Sequence, residues 1–195
     1  MELLLATRNA HKVEEFARIL APHTVLPLPD DVVLPPETGT TFADNALIKA
    51  RAAAQATGRP AFADDSGIAA SALGGAPGIY SARFAGEDAT DEANLDKLLR
   101  SVPDDGDRRV AYVCAIVFYV PGQAPHVFEK TCDGLLALEP RGTGGFGYDP
   151  AFLPLDIDDG RTMAEVTAEE KDRISHRGRA ARAFRDWLEQ QKEAA

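Results

Sequence analysis

Apolar residues recur at two different spacings along this chain, and together the spacings predict alternating strands and helices. Leu3–Ala6 is a short apolar run typical of a strand. The next apolar positions are three and four residues apart, which is the spacing of one helix face. They are Val13, Phe16, Ala17 and Leu20. Further strands are predicted at Ala61–Ala63, Val110–Val120, Val127–Cys132 and Leu135–Leu138. This alternation indicates an α/β protein with a mixed sheet.

Two helix starts carry a capping-box sequence, in which the first residue and the residue three positions later satisfy each other's backbone groups. Thr41 with Asp44 opens a helix that we expect to end near Thr57, before Gly58 and Pro60. A shorter helix is predicted to begin at Thr167-Ala168-Glu169-Glu170.

Ser175 is a suitable cap for the last helix, and it would place His176 and Arg177 in the first turn. A positive side chain there opposes the helix dipole. The position of Arg177 therefore indicates an anion nearby.

The turn Thr7–Lys12 joins the first strand to the first helix. Backbone N–H groups at such a helix start can receive an anion. Asp64 and Asp65 follow a predicted strand end, so their side chains are expected on opposite faces. Ser66 and Gly67 are expected to make a sharp turn after them.

Two glycine-rich stretches, Gly74–Gly86 and Arg141–Pro150, are predicted to be loops. In the second loop, Phe146 and Tyr148 could offer a stacking face to a base. Basic residues next to loops or helix starts are Lys12, Lys49, Lys171, His176 and Arg177. Each feature by itself also fits a plain turn, a packed aromatic ring or a solvated charge.

The composition narrows the classes of partner. The formal net charge of −10 argues against a nucleic-acid polymer but allows a small phosphorylated ligand. No apolar run reaches the length of a membrane span.

The two cysteines, Cys114 and Cys132, have no metal-ligand spacing, which favours a cytoplasmic protein without disulfides. The length of 195 residues favours a single domain, 1–195.

Common catalytic motifs are absent from the sequence. It has no Walker A, HExxH, GxSxG or redox CxxC segment. No activating base is indicated for Ser66, so a serine hydrolase is disfavoured.

Six segments together resemble the inosine triphosphate pyrophosphatase family, in the order that the family shows. They are ATRNAHKVEE, ETGTTFADNALIKA, ADDSG, LGGAPGIYSARFAGEDATD, GTGGFGYDP and TAEEKDRISHRG. The resemblance implies an elongated mixed β-sheet flanked by helices, with two lobes and a central substrate cleft. It also implies a homodimer and Mg²⁺-dependent hydrolysis of ITP, dITP and XTP to the monophosphate and pyrophosphate.

The resemblance further implies a set of site residues. Asp65 matches the catalytic acid and a metal ligand, and Glu37 matches a second metal-site acid. Arg8 stands where many members have a small residue, and Pro36 where some carry an extra acid. The positions that match substrate contacts are Thr7, Arg8, Asn9, Ala10, His11, Lys12, Ser66, Phe146, Gly147, Tyr148, Asp149, Lys171, His176 and Arg177.

These residues suggest how a base could be selected. Donors aimed at the C6 oxygen of hypoxanthine or xanthine would meet the amino group of adenine and stay unpaired. His176 and Arg177 are the candidate donors, with Phe146 stacking on the base. Two other functions remain open: a pyrophosphatase for other modified nucleotides, and a nucleotide-binding regulator without turnover.

Overall fold

The computed structural model describes residues 1–193. The strands are β1 (Glu2–Leu5), β2 (Thr24–Leu26), β3 (Ala61–Ala70), β4 (Arg109–Tyr119), β5 (His126–Leu136) and β6 (Phe152–Pro154). The α-helices are α1 (Ala10–Ile19), α2 (Phe42–Thr57), α3 (Asp91–Ser101), α4 (Ala168–Ile174) and α5 (His176–Glu193). Short 3-10 turns lie at Ser71–Leu73, Gly78–Arg83 and Asp149–Ala151.

The strands form one six-stranded sheet in the order β2-β1-β3-β4-β5-β6. Strand β1 runs parallel to both β2 and β3, whereas β5 and β6 are antiparallel. Buried side chains of α1, α2 and α5 pack against the strands. The predicted α/β class with a mixed sheet flanked by helices is therefore confirmed.

The chain divides into two compact units. Unit 1 comprises Met1–Asp65, Cys114–Lys130 and the chain from Arg177 onward, and unit 2 comprises Ser66–Val113 and Thr131–His176. Each has its own apolar core. Buried residues of unit 1 include Phe16, Phe62 and Phe184, and those of unit 2 include Ile68, Leu98, Phe152 and Met163. The assignment of 1–195 as a single domain stays a prediction.

Local signals fix the ends of α2. Thr41 accepts a hydrogen bond from the N–H of Asp44, the Asp44 side chain accepts one from the N–H of Thr41, and Gly58 ends the helix with a φ of 67°. Only glycine adopts such a left-handed conformation readily. The predicted helix is thus confirmed at both ends.

The second capping box is also confirmed. Thr167 and Glu170 exchange the same pair of hydrogen bonds and start α4. Helix α5 begins at His176, so that His176 and Arg177 occupy its first turn as expected.

The strand predicted at Ala61–Ala63 is confirmed at its start but is too short, because β3 has ten residues and continues through Ala70. No sharp turn follows Asp65. A Cβ at Gly67 would collide with the carbonyl oxygen of Gly78 and the hydroxyl of Ser81. Glycine at position 67 therefore allows β3 to lie close to the backbone of Gly78 within unit 2.

The strand predictions need further correction at β5 and at two short strands. The two strands expected at Val127–Cys132 and Leu135–Leu138 are the single strand β5. The three-residue strands β2 and β6 were not predicted, since runs so short carry little periodic pattern.

Candidate active site

The adjacent acids Asp64 and Asp65 on β3 have different partners, as expected for neighbours on a strand. Asp64 is buried and forms ion pairs with two cations of unit 1. Its Oδ1 lies 3.0 Å from Nζ of Lys12, and its Oδ2 accepts hydrogen bonds from Nε and Nη2 of Arg177 at 3.2 and 3.1 Å.

Asp65 belongs to a second group. Its Oδ2 accepts a hydrogen bond from the amide of Asn45 at 3.0 Å, and its Oδ1 lies 3.6 Å from Nζ of Lys49. The same ammonium donates to Oε1 of Glu37 at 2.6 Å. Two carboxylates that are 28 positions apart in sequence therefore share one cation.

The pKa values of the two acids are shifted in opposite directions. Burial raises the pKa of Asp65, the charge of Glu37 adds to the increase, and Lys49 only partly offsets it. Burial also acts on Asp64, but Lys12, Arg177 and Lys49 outweigh it and hold the pKa of Asp64 well below its usual range. Asp65 is thus the better proton acceptor, and Asp64 is a fixed anion.

Arg177 is almost completely buried, with 2% of its surface exposed. In addition to Asp64, its Nη1 donates to Oε2 of Glu15 at 2.7 Å. The anions expected near this helix start are therefore Glu15 and Asp64 of the protein itself. Contact of Arg177 with a base stays a prediction.

The turn before α1 is a capped helix start, and its binding of an anion stays a prediction. Asn9 caps the helix by accepting the N–H of Lys12 at 3.2 Å, and Thr7 Oγ1 accepts the N–H of Asn9 at 3.2 Å. Ala10 and His11 open the helix and are exposed. The N-terminal end of α1 and the ammonium of Lys12 thus belong to the same unit as both acids.

Arg8 differs from its neighbours in this turn. Its guanidinium donates to the carbonyl oxygens of Leu28, Pro29, Asp30 and Val32 at 2.6–3.3 Å. These bonds order the proline-rich segment that leads to Glu37. A contact of Arg8 with the substrate stays a prediction.

The residue types around Asp65 fit a magnesium ion. Within residues 1–193, no group of three or more His, Cys, Asp or Glu side chains is placed to hold a metal. Mg²⁺ does not need such a cage, because it often binds one or two carboxylates together with waters and substrate phosphates. Asp65 and Glu37 present two carboxylates of this kind, and both lie beside the ammonium of Lys49.

Unit 2 contains a separate cluster around Asp149. Its Oδ2 accepts hydrogen bonds from Nζ of Lys171 at 2.7 Å and from the N–H of Phe146 at 3.0 Å. Its Oδ1 accepts from the hydroxyl of Tyr112 at 3.0 Å. The ammonium of Lys171 also lies 4.8 Å from the ring centroid of Phe146. Asp149 thus holds an aromatic ring and a cation together.

The remaining predicted residues of this cluster are fixed by other contacts. The imidazole of His176 stacks on Tyr112, with ring centroids 4.4 Å apart. Tyr148 donates its hydroxyl to the carbonyl of Ser81, and the N–H of Gly147 donates to Asp91. Ser66 lies half-buried in β3. Roles of these residues in binding stay predictions.

Several residues of the two clusters were not predicted as site residues. They are Glu15, Asn45, Lys49, Asp64 and Tyr112. Lys49 was visible as a basic residue, and Asp64 as half of an acid pair. The pairing of these groups depends on contacts between distant parts of the sequence. Cys114 lies near Asp64, but burial raises the pKa of its thiol, so it is not a reactive nucleophile.

The structure is thus an α/β protein in which unit 1 holds a cluster of paired acids and cations. A model of the Ham1 family matches residues 3–187, and the chain belongs to this family. The match confirms the family resemblance drawn from the sequence.

Named relatives agree with this assignment. The chain is 50% identical to a dITP/XTP pyrophosphatase of Geobacillus kaustophilus, over 92% of this chain and 90% of that one. A HAM1 protein from Coxiella burnetii has a similar structure, with a TM-score of 0.88, 40% identity and coverage of 97% and 99% of the two chains. A nucleoside-triphosphatase, dITP/XTP pyrophosphatase, from Mycobacterium abscessus gives a TM-score of 0.75 and 43% identity, covering 94% and 98%.

Proposed function

We propose that this protein hydrolyses non-standard purine nucleoside triphosphates, namely ITP, dITP and XTP, to the nucleoside monophosphate and pyrophosphate. The observation that carries the proposal is the arrangement of Asp65, Glu37 and Lys49. It joins a buried carboxylate of raised pKa to a second carboxylate and a cation. The names of the relatives support the substrate class.

In this proposal unit 1 carries out the phosphate chemistry. The N-terminal end of α1 and the ammonium of Lys12 bind the phosphate chain. Asp65 accepts a proton from the attacking water and orients it toward the α-phosphorus. The pKa of Asp65 is raised by burial, which strengthens it as a base. Lys49 balances the charge that builds up on the phosphate oxygens.

Mg²⁺ is the proposed cofactor, with Asp65 and Glu37 as its protein ligands. When bound, it would neutralise phosphate charge and polarise the phosphoryl group. Asn45 and Arg8 have supporting roles, since they hold Asp65 and the segment before Glu37 in place.

Unit 2 is proposed to recognise the nucleoside. Phe146 offers a ring for stacking, Lys171 offers a cation beside it, and His176 offers a donor to the C6 oxygen of the base. The buried ion pairs of Arg177 favour a different role for that residue, in which it holds Asp64 and thereby Lys12.

We also infer a homodimer and a cytoplasmic location, which the family resemblance and the nucleotide substrate support. In the part of the chain that the structure describes, no helix is long and apolar enough to cross a membrane. The acidic net charge of −10 fits a small-molecule substrate better than a nucleic-acid polymer.

Pyrophosphate release from ITP, XTP, dITP, GTP and ATP tests the proposal. The assay is run with Mg²⁺ and with EDTA, and Asp65→Asn serves as the inactive control. Release from ITP, XTP and dITP that requires Mg²⁺, with little from ATP and GTP, is expected. Equal release from all five would contradict the assignment of base recognition. Release only from other modified nucleotides would show that these, and not ITP, dITP and XTP, are the substrates. Binding of nucleotide without release of pyrophosphate would indicate a regulator.

A further inference from the structure

Tyr112 contacts two separate parts of the unit 2 cluster. It lies on β4 and is 6% exposed. Its hydroxyl donates to Oδ1 of Asp149 at 3.0 Å, and its ring stacks on His176 with an angle of 9° between the planes. One side chain therefore contacts both His176, the proposed hydrogen-bond donor to the nucleobase, and the carboxylate that holds Phe146 and Lys171.

The hydrogen bond to Asp149 restricts rotation of the carboxylate. Oδ1 accepts from Tyr112, while Oδ2 accepts from Lys171 and from the N–H of Phe146. Asp149 is 3% exposed, so a lost donor is not simply replaced by bulk water. Rotation of the carboxylate would shift Lys171 and release the backbone next to Phe146.

The stacked ring restricts His176 in a different way. Parallel contact at 4.4 Å fixes the plane of the imidazole. Since the imidazole N–H points within that plane, a tilt of the ring would misdirect its hydrogen bond. A buried ring that tilts freely would discriminate poorly between a carbonyl and an amino group.

We propose that Tyr112 is a positioning residue for base recognition. Its hydroxyl fixes Asp149 and so aligns Phe146 and Lys171, and its ring fixes the imidazole plane of His176. This inference rests on the proposed function, because it assumes that those three side chains meet the nucleoside. It assigns Tyr112 no contact with the reacting phosphates.

Two substitutions separate the two contacts. Tyr112→Phe keeps the ring and removes the hydroxyl, whereas Tyr112→Leu removes both. Tyr119→Phe is the matched control, because Tyr119 is on the same strand but its ring faces the guanidinium of Arg51 in unit 1. The measurements are kcat and KM for ITP, GTP and ATP, the unfolding temperature, and calorimetric binding of ITP in EDTA.

Tyr112→Phe is expected to raise both KM and Kd for ITP about tenfold, as befits the loss of a buried hydrogen bond to a charged group. The kcat should stay within about twofold, because the phosphate chemistry is untouched. Tyr112→Leu should in addition lower the preference for ITP over ATP by about tenfold or more. Tyr119→Phe should change none of these values.

A purely structural role for Tyr112 gives a different pattern. It would lower the unfolding temperature and the active fraction, and so reduce the apparent kcat equally for every nucleotide without changing Kd. That pattern, or a Tyr112→Phe variant that matches Tyr119→Phe, would overturn the inference. If the wild type binds ITP without releasing pyrophosphate, the proposed function fails and the Kd values alone decide the role of Tyr112. If it neither binds nor hydrolyses ITP, both are overturned.

Discussion

The side-chain amide of Asn45 donates a hydrogen bond to Oδ2 of Asp65 over 3.0 Å, and both side chains are buried. The carbonyl oxygen of the same amide accepts the backbone N–H of Gly39 at 2.8 Å. A Cβ at Gly39 would lie 2.7 Å from that oxygen, so the backbone can approach this closely only as glycine. One amide therefore connects Asp65 to the segment that carries Glu37.

Removing this amide should weaken the proposed metal site. Asn45→Ala is expected to raise the Mg²⁺ concentration for half-maximal activity about tenfold, because two hydrogen bonds that align the carboxylates are lost. A Mg²⁺ titration of pyrophosphate release measures this change, and calorimetry with Mg²⁺ alone measures it without turnover.

Asn94→Ala is the matched control for Asn45→Ala. Asn94 is also buried, but it bonds to backbone groups of Ala82 and Ala85 in unit 2. Its replacement should lower stability and leave the Mg²⁺ dependence unchanged. Equal shifts of the Mg²⁺ dependence in both variants would refute the role given to Asn45.

Substitutions of the two β3 acids should change stability in opposite directions. The pKa of Asp65 is raised in the folded protein, mainly by burial, so its charged form opposes folding at neutral pH. Asp65→Asn should therefore unfold at the same or a higher temperature than the wild type, while turnover falls at least about 100-fold.

For Asp64 the pKa shift, and with it the effect of the charge on stability, has the opposite direction. The cations Lys12, Arg177 and Lys49 outweigh burial and hold its pKa low, so its charge stabilises the fold above the ordinary carboxyl pKa. This contribution is lost as the pH falls toward the folded-state pKa. Asp64→Asn should unfold at a lower temperature at neutral pH. If scanning calorimetry gave the same direction for both variants, the assignment of a base and a fixed anion would be wrong.

Arg177→Ala should be strongly destabilising, because it removes the guanidinium that the buried carboxylates of Glu15 and Asp64 share and leaves less positive charge beside both. Loss of one member of a buried ion pair costs about 3–5 kcal/mol. For a chain of this size the loss lowers the unfolding temperature by roughly 10 °C.

Thermal unfolding of Arg177→Ala and Glu15→Gln/Arg177→Ala tests this account. The second variant also removes the negative charge of Glu15 and should recover part of the stability. An unfolding temperature equal to that of the wild type, together with a selective loss of ITP turnover, would instead favour direct contact of Arg177 with the base.

Glu170 should contribute to acid sensitivity through α4, the helix that carries Lys171. The guanidinium of Arg161 and the N–H of Thr167 lower the pKa of Glu170 to about 2. An acid with a lowered pKa stabilises the fold above its unfolded-state value, and the effect is lost as the pH falls through the folded-state value. Glu170→Gln should therefore unfold at a lower temperature at neutral pH, and the difference from wild type should shrink between about pH 4 and pH 2.

The control for Glu170→Gln is Glu169→Gln, the exposed neighbour on the same helix. It should leave the unfolding temperature nearly unchanged throughout this range. A constant difference between Glu170→Gln and wild type down to pH 2 would show that charge is not the cause.

The sequence predicted those elements whose signals are local. Helix α2 was predicted at both ends because Thr41, Asp44 and Gly58 act within a few residues of the helix ends. Strand β3 was cut short, because two acids followed by Ser-Gly favour a turn when considered locally. Their burial in a strand is stabilised by partners far away in sequence, such as Arg177, 113 positions beyond Asp64.

The candidate site likewise combines residues that the sequence predicted with partners that only the structure shows. The family resemblance supplied Asp65, Glu37 and the nucleotide-contacting positions, while the geometry of the chain adds their partners. Asn45, Glu15 and Tyr112 carry no motif of their own. Each acts through tertiary contacts with residues far away in sequence, which periodicity and spacing cannot encode.

Hydrolysis of ITP in ¹⁸O-labelled water tests the central claim most directly, namely that Asp65 directs water to the α-phosphorus. The label is expected in inosine monophosphate, with unlabelled pyrophosphate as the other product, and Asp65→Asn should incorporate almost none. Label in pyrophosphate would place the attack on the β-phosphorus, and release of orthophosphate would place it on the γ-phosphorus. Either result would contradict the account.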